Sequence, residues 1–316
     1  MPPTPSASPP AQAHAQRMNR VLDHIDRHLD QPLDLAALAA VAHFSPYHFH
    51  RLFAAWMGET LGDYLRRRRL EVAALMLAGK RQTPVLTVAL EVGFGSGEAL
   101  ARAFKLHFGQ SPSAWRRATP QRWAAELQAR FRNPGQAERK PDQAPDAAWP
   151  EHGRSHPQEE RPMQVSIQQL PATRVAYMRH IGPYGPDVAR FWSETFLPWR
   201  AAQGLEQAAC FGIGHDDPSV ARPDKCRYDA CVAVPADFKA AAAVSLAELP
   251  GGRYAVARFE GRGSDISRAW TELLRDWLPA SGLQIDGRPC FEHYPPGARH
   301  DPATGVFECE ICIPVR

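Results

Sequence analysis

Two groups of residues have the types and spacing to do chemistry. The first is Cys290-Phe291-Glu292-His293-Tyr294. On a strand, Phe291 and His293 share one face and Glu292 and Tyr294 the other. If Glu292 faces inward, it is a carboxylate among aromatic rings. Burying an unpaired acid is costly, and its ionised form is a strong site for a cation. Aromatic faces add roughly 0.5–2 kcal/mol of cation–π attraction. From spacing alone, a solvated Glu292, or one paired with Arg174 or Arg258, accounts for the same residues at least as well.

The second group is carried on helices. Phe49, Leu52, Phe53 and Trp56 form an apolar stripe, and the opposite face carries Tyr47, His50 and Arg51. These long polar side chains can reach base edges or phosphates in a major groove about 12 Å wide. A later helix exposes Gly97, Glu98, Ala101 and Arg102. There Arg102 can bond guanine and Glu98 can accept from cytosine, while Gly97 and Ala101 offer little beyond close approach. The first helix is therefore expected to carry most of the sequence discrimination.

These residues need positioning elements. Leu22, Ile25 and Leu29 repeat at helical spacing before Pro32. Ser45 is suited to cap a helix with Pro46 in its first turn, and Gly58 to close it. A helix of about Leu61 to Ala78 follows. The pattern then recurs 51 residues on: Ser45/Ser96, Phe49/Leu100, Arg51/Arg102, Phe53/Phe104, Gly58/Gly109, Thr60/Ser111 and Tyr64/Trp115. Each pair keeps its chemistry. This predicts two helix-turn-helix units, with Ala39 and Ala89 as the small residues at their tight contacts. Of the run Arg66-Arg67-Arg68-Arg69, Arg69 reads as a structural partner and the others as solvated or phosphate-facing.

After residue 163 the apolar period moves toward two. Strands are expected at 163–169, 173–180, 210–214, 227–234, 244–249, 253–260, 289–294 and 307–314, with helices at 186–203 and 265–278. A repeat at 78 residues pairs Trp192 with Trp270, Trp199 with Trp277 and Gly204 with Gly282. The fold class is thus an all-α N-terminal domain followed by an α+β domain of duplicated strand–helix–strand–strand units on an antiparallel sheet. Residues 1–16 read as a disordered tail, 17–118 as the helical domain, 119–162 as a flexible Pro- and Gln-rich linker and 163–316 as the sheet domain.

Charge follows these boundaries. The chain's 316 residues carry a formal net charge of +3. Residues 1–118 hold 14 basic and 9 acidic side chains, and residues 163–316 hold 16 and 18. A basic first domain points to an anionic partner; a helical domain that docks to protein is the plainer alternative. No run approaches 18 apolar residues, so no membrane partner is expected. The N-terminus lacks a signal-peptide pattern, and all six Cys follow residue 200, as expected of reduced thiols in the cytoplasm. Cys309 and Cys312 have the spacing of one half of a zinc knuckle, but they fall on opposite strand faces and no second pair matches them, so no metal is expected. There is no catalytic triad and no phosphate loop, so neither a cofactor nor an enzyme is expected.

Residues 17–118 resemble the DNA-binding domain of AraC/XylS-family bacterial transcriptional regulators. The resemblance rests on Ser45…Arg51-Leu52-Phe53, Gly58-Glu59-Thr60…Tyr64-Leu65 and Arg69-Leu70. It rests further on Gly93-Phe94…Ala103-Phe104-Lys105…Phe108-Gly109…Ser111-Pro112…Trp115-Arg116. Ala99 and Ala101 stand where larger polar residues are usual, and Trp115 where Tyr is usual. Residues 163–316 resemble a GyrI-like effector-binding domain. The matching stretches are Gly182-Pro183-Tyr184, Gly214-His215-Asp216-Asp217-Pro218, Arg227-Tyr228-Asp229 and Pro250-Gly251-Gly252-Arg253-Tyr254-Ala255. Trp277-Leu278-Pro279-Ala280-Ser281-Gly282, Phe291-Glu292-His293-Tyr294 and Ile313-Pro314-Val315 complete them.

The resemblance implies promoter DNA and a small, lipophilic or cationic effector as partners, and contact with RNA polymerase. It implies activation as the tendency and a monomer or homodimer. Glu292 would lie at the bottom of the effector groove, with Tyr294 beside it and Trp192, Trp270, Tyr177, Tyr184 and Tyr228 as walls; Trp199 and Trp277 read as core. Two alternatives stand beside this: a hydrolase using Glu292 with Tyr177 or Tyr294, and a regulator whose second domain only contacts protein. A flexible linker would argue against a rigid path between the domains.

Overall fold

The computed structural model describes residues 9–79, 82–118, 164–218, 220–240, 244–301 and 304–316. The expected linker lies outside them. The helical domain comprises α1 (Pro9–Arg27), α2 (Leu35–Val41), α3 (Pro46–Met57), α4 (Leu61–Gly79), α5 (Val85–Glu91), α6 (Gly97–Phe108) and α7 (112–118). Each helix-turn-helix owns a core. Phe49, Phe53, Leu38 and Tyr64 close the first, and Leu100, Phe104, Val88 and Trp115 the second. The long α4 gives its start to one core and its end to the other.

The 51-residue repeat holds at the helix caps and the closing glycines. The Ser45 and Ser96 hydroxyls accept from the backbone N–H of His48 (3.4 Å) and Ala99 (3.1 Å). Gly58 and Gly109 end their helices at φ 65° and 74°, where a side chain would be strained. Ala39 and Ala89 are fully buried.

Two readings of this domain need correction. Residues 9–16 are helix, not tail: Pro9 and Pro10 sit where a helix tolerates missing N–H groups. The Gln16 amide also donates to the Val244 carbonyl of the second domain. The arginine run is not a solvated strip. Only Arg66 is exposed, whereas Arg67 pairs with Glu59 (2.7 Å) and Glu71 (2.8 Å). Arg68 is also buried and paired, and Arg69 holds the Leu29 and Gln31 carbonyls.

The second domain is one curled antiparallel sheet of β1 (Val165–Leu170), β2 (Thr173–Ile181), β3 (Cys210–Gly214), β4 (Arg227–Ala233), β5 (Ser245–Leu249), β6 (Gly252–Arg262), β7 (Phe291–Tyr294), β8 (His300–Asp301) and β9 (Val306–Pro314). The strand order is β1-β6-β9-β7-β3-β4-β2-β5, with β8 on β9. Each repeat contributes a block of three strands, β3-β4-β2 and β6-β9-β7, and the blocks meet where β3 pairs β7. The leading strands are exchanged. β1 precedes the first repeat yet pairs β6 of the second, and β5 precedes the second yet pairs β2 of the first.

One face of the sheet carries α8 (Pro186–Phe191) running into α9 (Leu197–Ala202), and α10 (Gly263–Thr271) running into α11 (Leu278–Ser281). A wider π-helical turn interrupts each pair, at Trp192–Phe196 and Glu272–Trp277. Each turn precedes a proline, Pro198 or Pro279, whose missing N–H breaks the regular ladder. The other face holds Tyr177, Phe211, Tyr254 and Phe291 in a separate core.

Candidate functional site

Strand alternation places Glu292 on the helix-bearing face at the junction of the two repeats, opposite Gly212. Its side chain is almost wholly buried, and among the described residues no arginine pairs with it. Its carboxylate accepts from the Trp270 indole N–H (3.1 Å), the Tyr228 hydroxyl (3.0 Å) and the Tyr294 hydroxyl (2.9 Å). Trp192 donates to the Tyr228 hydroxyl (3.2 Å) and packs on the Tyr294 ring at 5.4 Å. The two tryptophans of the 78-residue repeat thus flank one acid, each delivered by its own helix. Burial raises the Glu292 pKa, and the three donors only partly offset this. Burial and the neighbouring acid hold both tyrosines well above their ordinary range. Chemically, an acid among aromatic rings can pair with an apolar cation: the acid supplies charge and the rings supply area.

Tyr184 stands beside this group, its ring edge-on to Tyr228 at 6.1 Å. Tyr177 does not belong to this group. It lies on the opposite sheet face, and its hydroxyl donates to Asp23 of α1 at 2.6 Å. Alternation decides this, since Ala176 and Met178 take the helix-side positions and Tyr177 falls between them. Trp199 and Trp277 pack against the helix-side cores. Sequence reasoning missed Gly212. A Cβ there would lie 2.0 Å from the Tyr228 hydroxyl and 2.7 Å from the Glu292 carboxylate, so the acid–tyrosine bond requires glycine. Its place beside a strand junction was the only available signal.

On the first reading helix, Tyr47, His50 and Arg51 are all exposed. Tyr47 is 68% exposed, a large aromatic surface with no partner domain over it. The Arg51 guanidinium donates to the Tyr47 hydroxyl (3.4 Å), so both side chains point the same way. On α6, Arg102 is exposed, but Gly97 and Glu98 are spoken for. The Cβ position of Gly97 faces the backbone of Leu86 on α5, 3.6 Å away. The exposed Glu98 carboxylate turns back on its own helix start, where a backbone N–H and Ser96 lower its pKa. Arg102 is left as the outward-reaching group of the second helix.

The two domains touch through buried charge. Arg227 of β4 bonds Asp216 (2.9 Å), Asp26 of α1 (2.7 Å) and the Tyr64 hydroxyl (3.1 Å). Arg68 of α4 bonds Asp26 (3.2 Å) and Asp216 (2.7 Å). Arg179 joins Asp229 (2.6 Å) to Asp23 (2.8 Å), and His215 also meets Asp229 at 2.7 Å. Burial opposes charge on Asp26 and Asp229, but the arginines beside them win and hold both pKa values below the usual carboxylate range. The contact leaves the first reading face open. It also gives the domains a direct contact that does not run through the linker.

The six cysteines are free, and Cys309 and Cys312 pack on opposite sheet faces. Among the described residues, no helix is long and apolar enough to cross a membrane.

A helix-turn-helix domain family model matches residues 38–118, and a GyrI-like small molecule binding domain model matches residues 163–316. Transcriptional regulator Rob of Salmonella typhimurium is 27% identical over 305 residues, covering 92% of this chain and 95% of Rob. Probable transcriptional regulator YgiV of Escherichia coli is 36% identical over 136 residues, 42% of this chain and 84% of YgiV. Regulatory protein SoxS of Salmonella typhimurium is 33% identical over 104 residues, 33% of this chain and 96% of SoxS.

Proposed function

Since the chain belongs to the AraC-type helix-turn-helix regulators that carry a GyrI-like small-molecule binding domain, we propose that it reads promoter DNA and answers to a lipophilic cation held at Glu292. Tyr47, His50 and Arg51 make the base contacts, and Arg102 adds a phosphate or a single guanine. Two readers on one chain let a monomer engage two groove segments, and contact with RNA polymerase would turn binding into activation. The observation that carries the effector reading is the buried Glu292 carboxylate, ringed by Trp270, Tyr228 and Tyr294 and, among the described residues, with no cationic side chain paired to it. The same geometry disfavours a hydrolase. Tyr177 lies across the sheet, and Tyr294 spends its proton on Glu292 with a raised pKa, so it is a poor nucleophile.

The test is calorimetric titration of the full chain with tetraphenylphosphonium. Glu292→Gln should weaken binding at least about tenfold, equivalent to ~1.4 kcal/mol. Equal affinity in both chains would refute the acid's role. Affinity should also rise with pH. The raised pKa leaves a proton on Glu292 at low pH, and the cation must displace it. Genome-wide footprinting with and without the probe tests the DNA arm; an absence of bound promoter sites would count against it.

A further inference from the structure

The pocket and the DNA-reading domain share one side chain's reach. Tyr184 presents its ring to Tyr228 in the pocket wall. Its hydroxyl donates to the Arg227 carbonyl (2.7 Å) and accepts from the Asp216 backbone N–H (3.2 Å). Those two residues carry the ion pairs to α1 and α4: Arg227 to Asp26 and Tyr64, and Asp216 to Arg68. Strand β4 reinforces the link. Tyr228 lies on the pocket side, and its neighbours Arg227 and Asp229 lie on the side facing the helical domain. A displaced Tyr228 ring therefore moves a residue whose covalent neighbour Arg227 is in the interface, and it presses on the Tyr184 ring, whose hydroxyl is hydrogen-bonded there.

We propose that Tyr184 is a positioning residue that couples the pocket to the first helix-turn-helix, clasping Arg227 and Asp216 only while Tyr228 stays seated on Glu292. Its regulatory meaning rests on reading the Glu292 pocket as the effector site. The coupling itself does not, because it can be measured with no ligand present. Since the docked arrangement leaves Tyr47, His50 and Arg51 exposed, the device sets how firmly the first unit is held and covers no reading residue. Loosening it frees α1 and the first turns of α4, which belong to the first core, to shift relative to the second unit, where the end of α4 is packed, and this changes the spacing of the two readers.

The test is hydrogen exchange on four full-length chains: wild type, Gly212→Ala, Tyr184→Phe and the double variant. Gly212→Ala drives a methyl group into the Tyr228 hydroxyl. With Tyr184 present, it should speed exchange in α1 and α4 at least about fivefold, the low end of ordinary allosteric coupling, and leave α6 unchanged. In the Tyr184→Phe background the same change should add nothing further. Unchanged exchange in α1 and α4, or an equal increment in both backgrounds, would overturn the proposal. If Gly212→Ala speeds exchange throughout the chain, Glu292→Gln takes its place as the pocket change and the same two outcomes decide. Loss of cation binding by the wild type would refute the effector reading and leave this result standing.

Discussion

The two helix-turn-helix units are built to one plan and used differently. Their caps, core aromatics and closing glycines match, but the seventh pair diverges. Tyr64 sends its hydroxyl out of the first unit to Arg227, whereas Trp115 turns its indole N–H onto the Ala74 carbonyl inside the second. The first unit is thus docked on the ligand-binding domain by buried charge, and the second is nearly self-contained. The readers differ likewise: Tyr47, His50 and Arg51 are exposed on the first, whereas of the residues expected to read from the second, Arg102 is the exposed cation and Glu98 turns back on its own helix start. Of the two units, the first is the one joined to the small-molecule binding domain by buried ion pairs.

The largest break in this comparison comes from Arg227→Met. Removing the guanidinium leaves two interface carboxylates, Asp26 and Asp216, sharing the single charge of Arg68, with an expected loss of about 3–5 kcal/mol. Denaturant melts followed by probes in each unit should show the first unit destabilised and the second spared. The turns give the next effect, with opposite signs. Gly93 adopts φ 81° and a Cβ there would meet the Leu29 carbonyl at 2.6 Å, so Gly93→Ala should cost more than about 1 kcal/mol. Its counterpart His43 holds φ 54° with a side chain, so His43→Gly should be neutral or stabilising by up to ~1 kcal/mol in thermal melts.

In DNA binding, Arg51→Ala should cost roughly 1–3 kcal/mol and relax specificity. Arg102→Ala should weaken binding more evenly across sequences and reduce the salt slope by about 1, both measurable by anisotropy on selected duplexes. Acid gives the mildest test. Asp26, Asp216 and Asp229 are held below their unfolded pKa, Asp216 at about 2. Their contribution is therefore present above the ordinary carboxylate range and lost as pH falls through the folded values. Docking of the first unit should loosen there while the second unit's core stays closed. Hydrogen exchange at low pH in α1 against α6 would read the difference.

Local rules carried much of this into view from sequence. Caps, turn glycines and the parity of Glu292 with Tyr294 follow from chain geometry within a few residues, and both repeats hold in the structure. What escaped depends on distant partners. Arg67 and Arg68 look like a solvated strip until Glu59, Asp26 and Asp216 are folded against them. Tyr177 looks like a pocket wall until the register fixes its face, and residues 9–16 look loose until Gln16 meets Val244. The short β8 carries too little pattern to be seen. Arg227-Tyr228-Asp229 held the coupling in its alternation, but nothing local says which face meets which domain.

The exchange of β1 and β5 gives the sheet domain an unusual resistance to cutting. A protease nick in the connection between β4 and β5 would leave one fragment holding β1 on the other's β6, and the other holding β5 on the first's β2. Each piece would lack an edge strand that only its counterpart supplies. Separately expressed halves should therefore find each other and complement, and a nicked chain should run as one species until denatured.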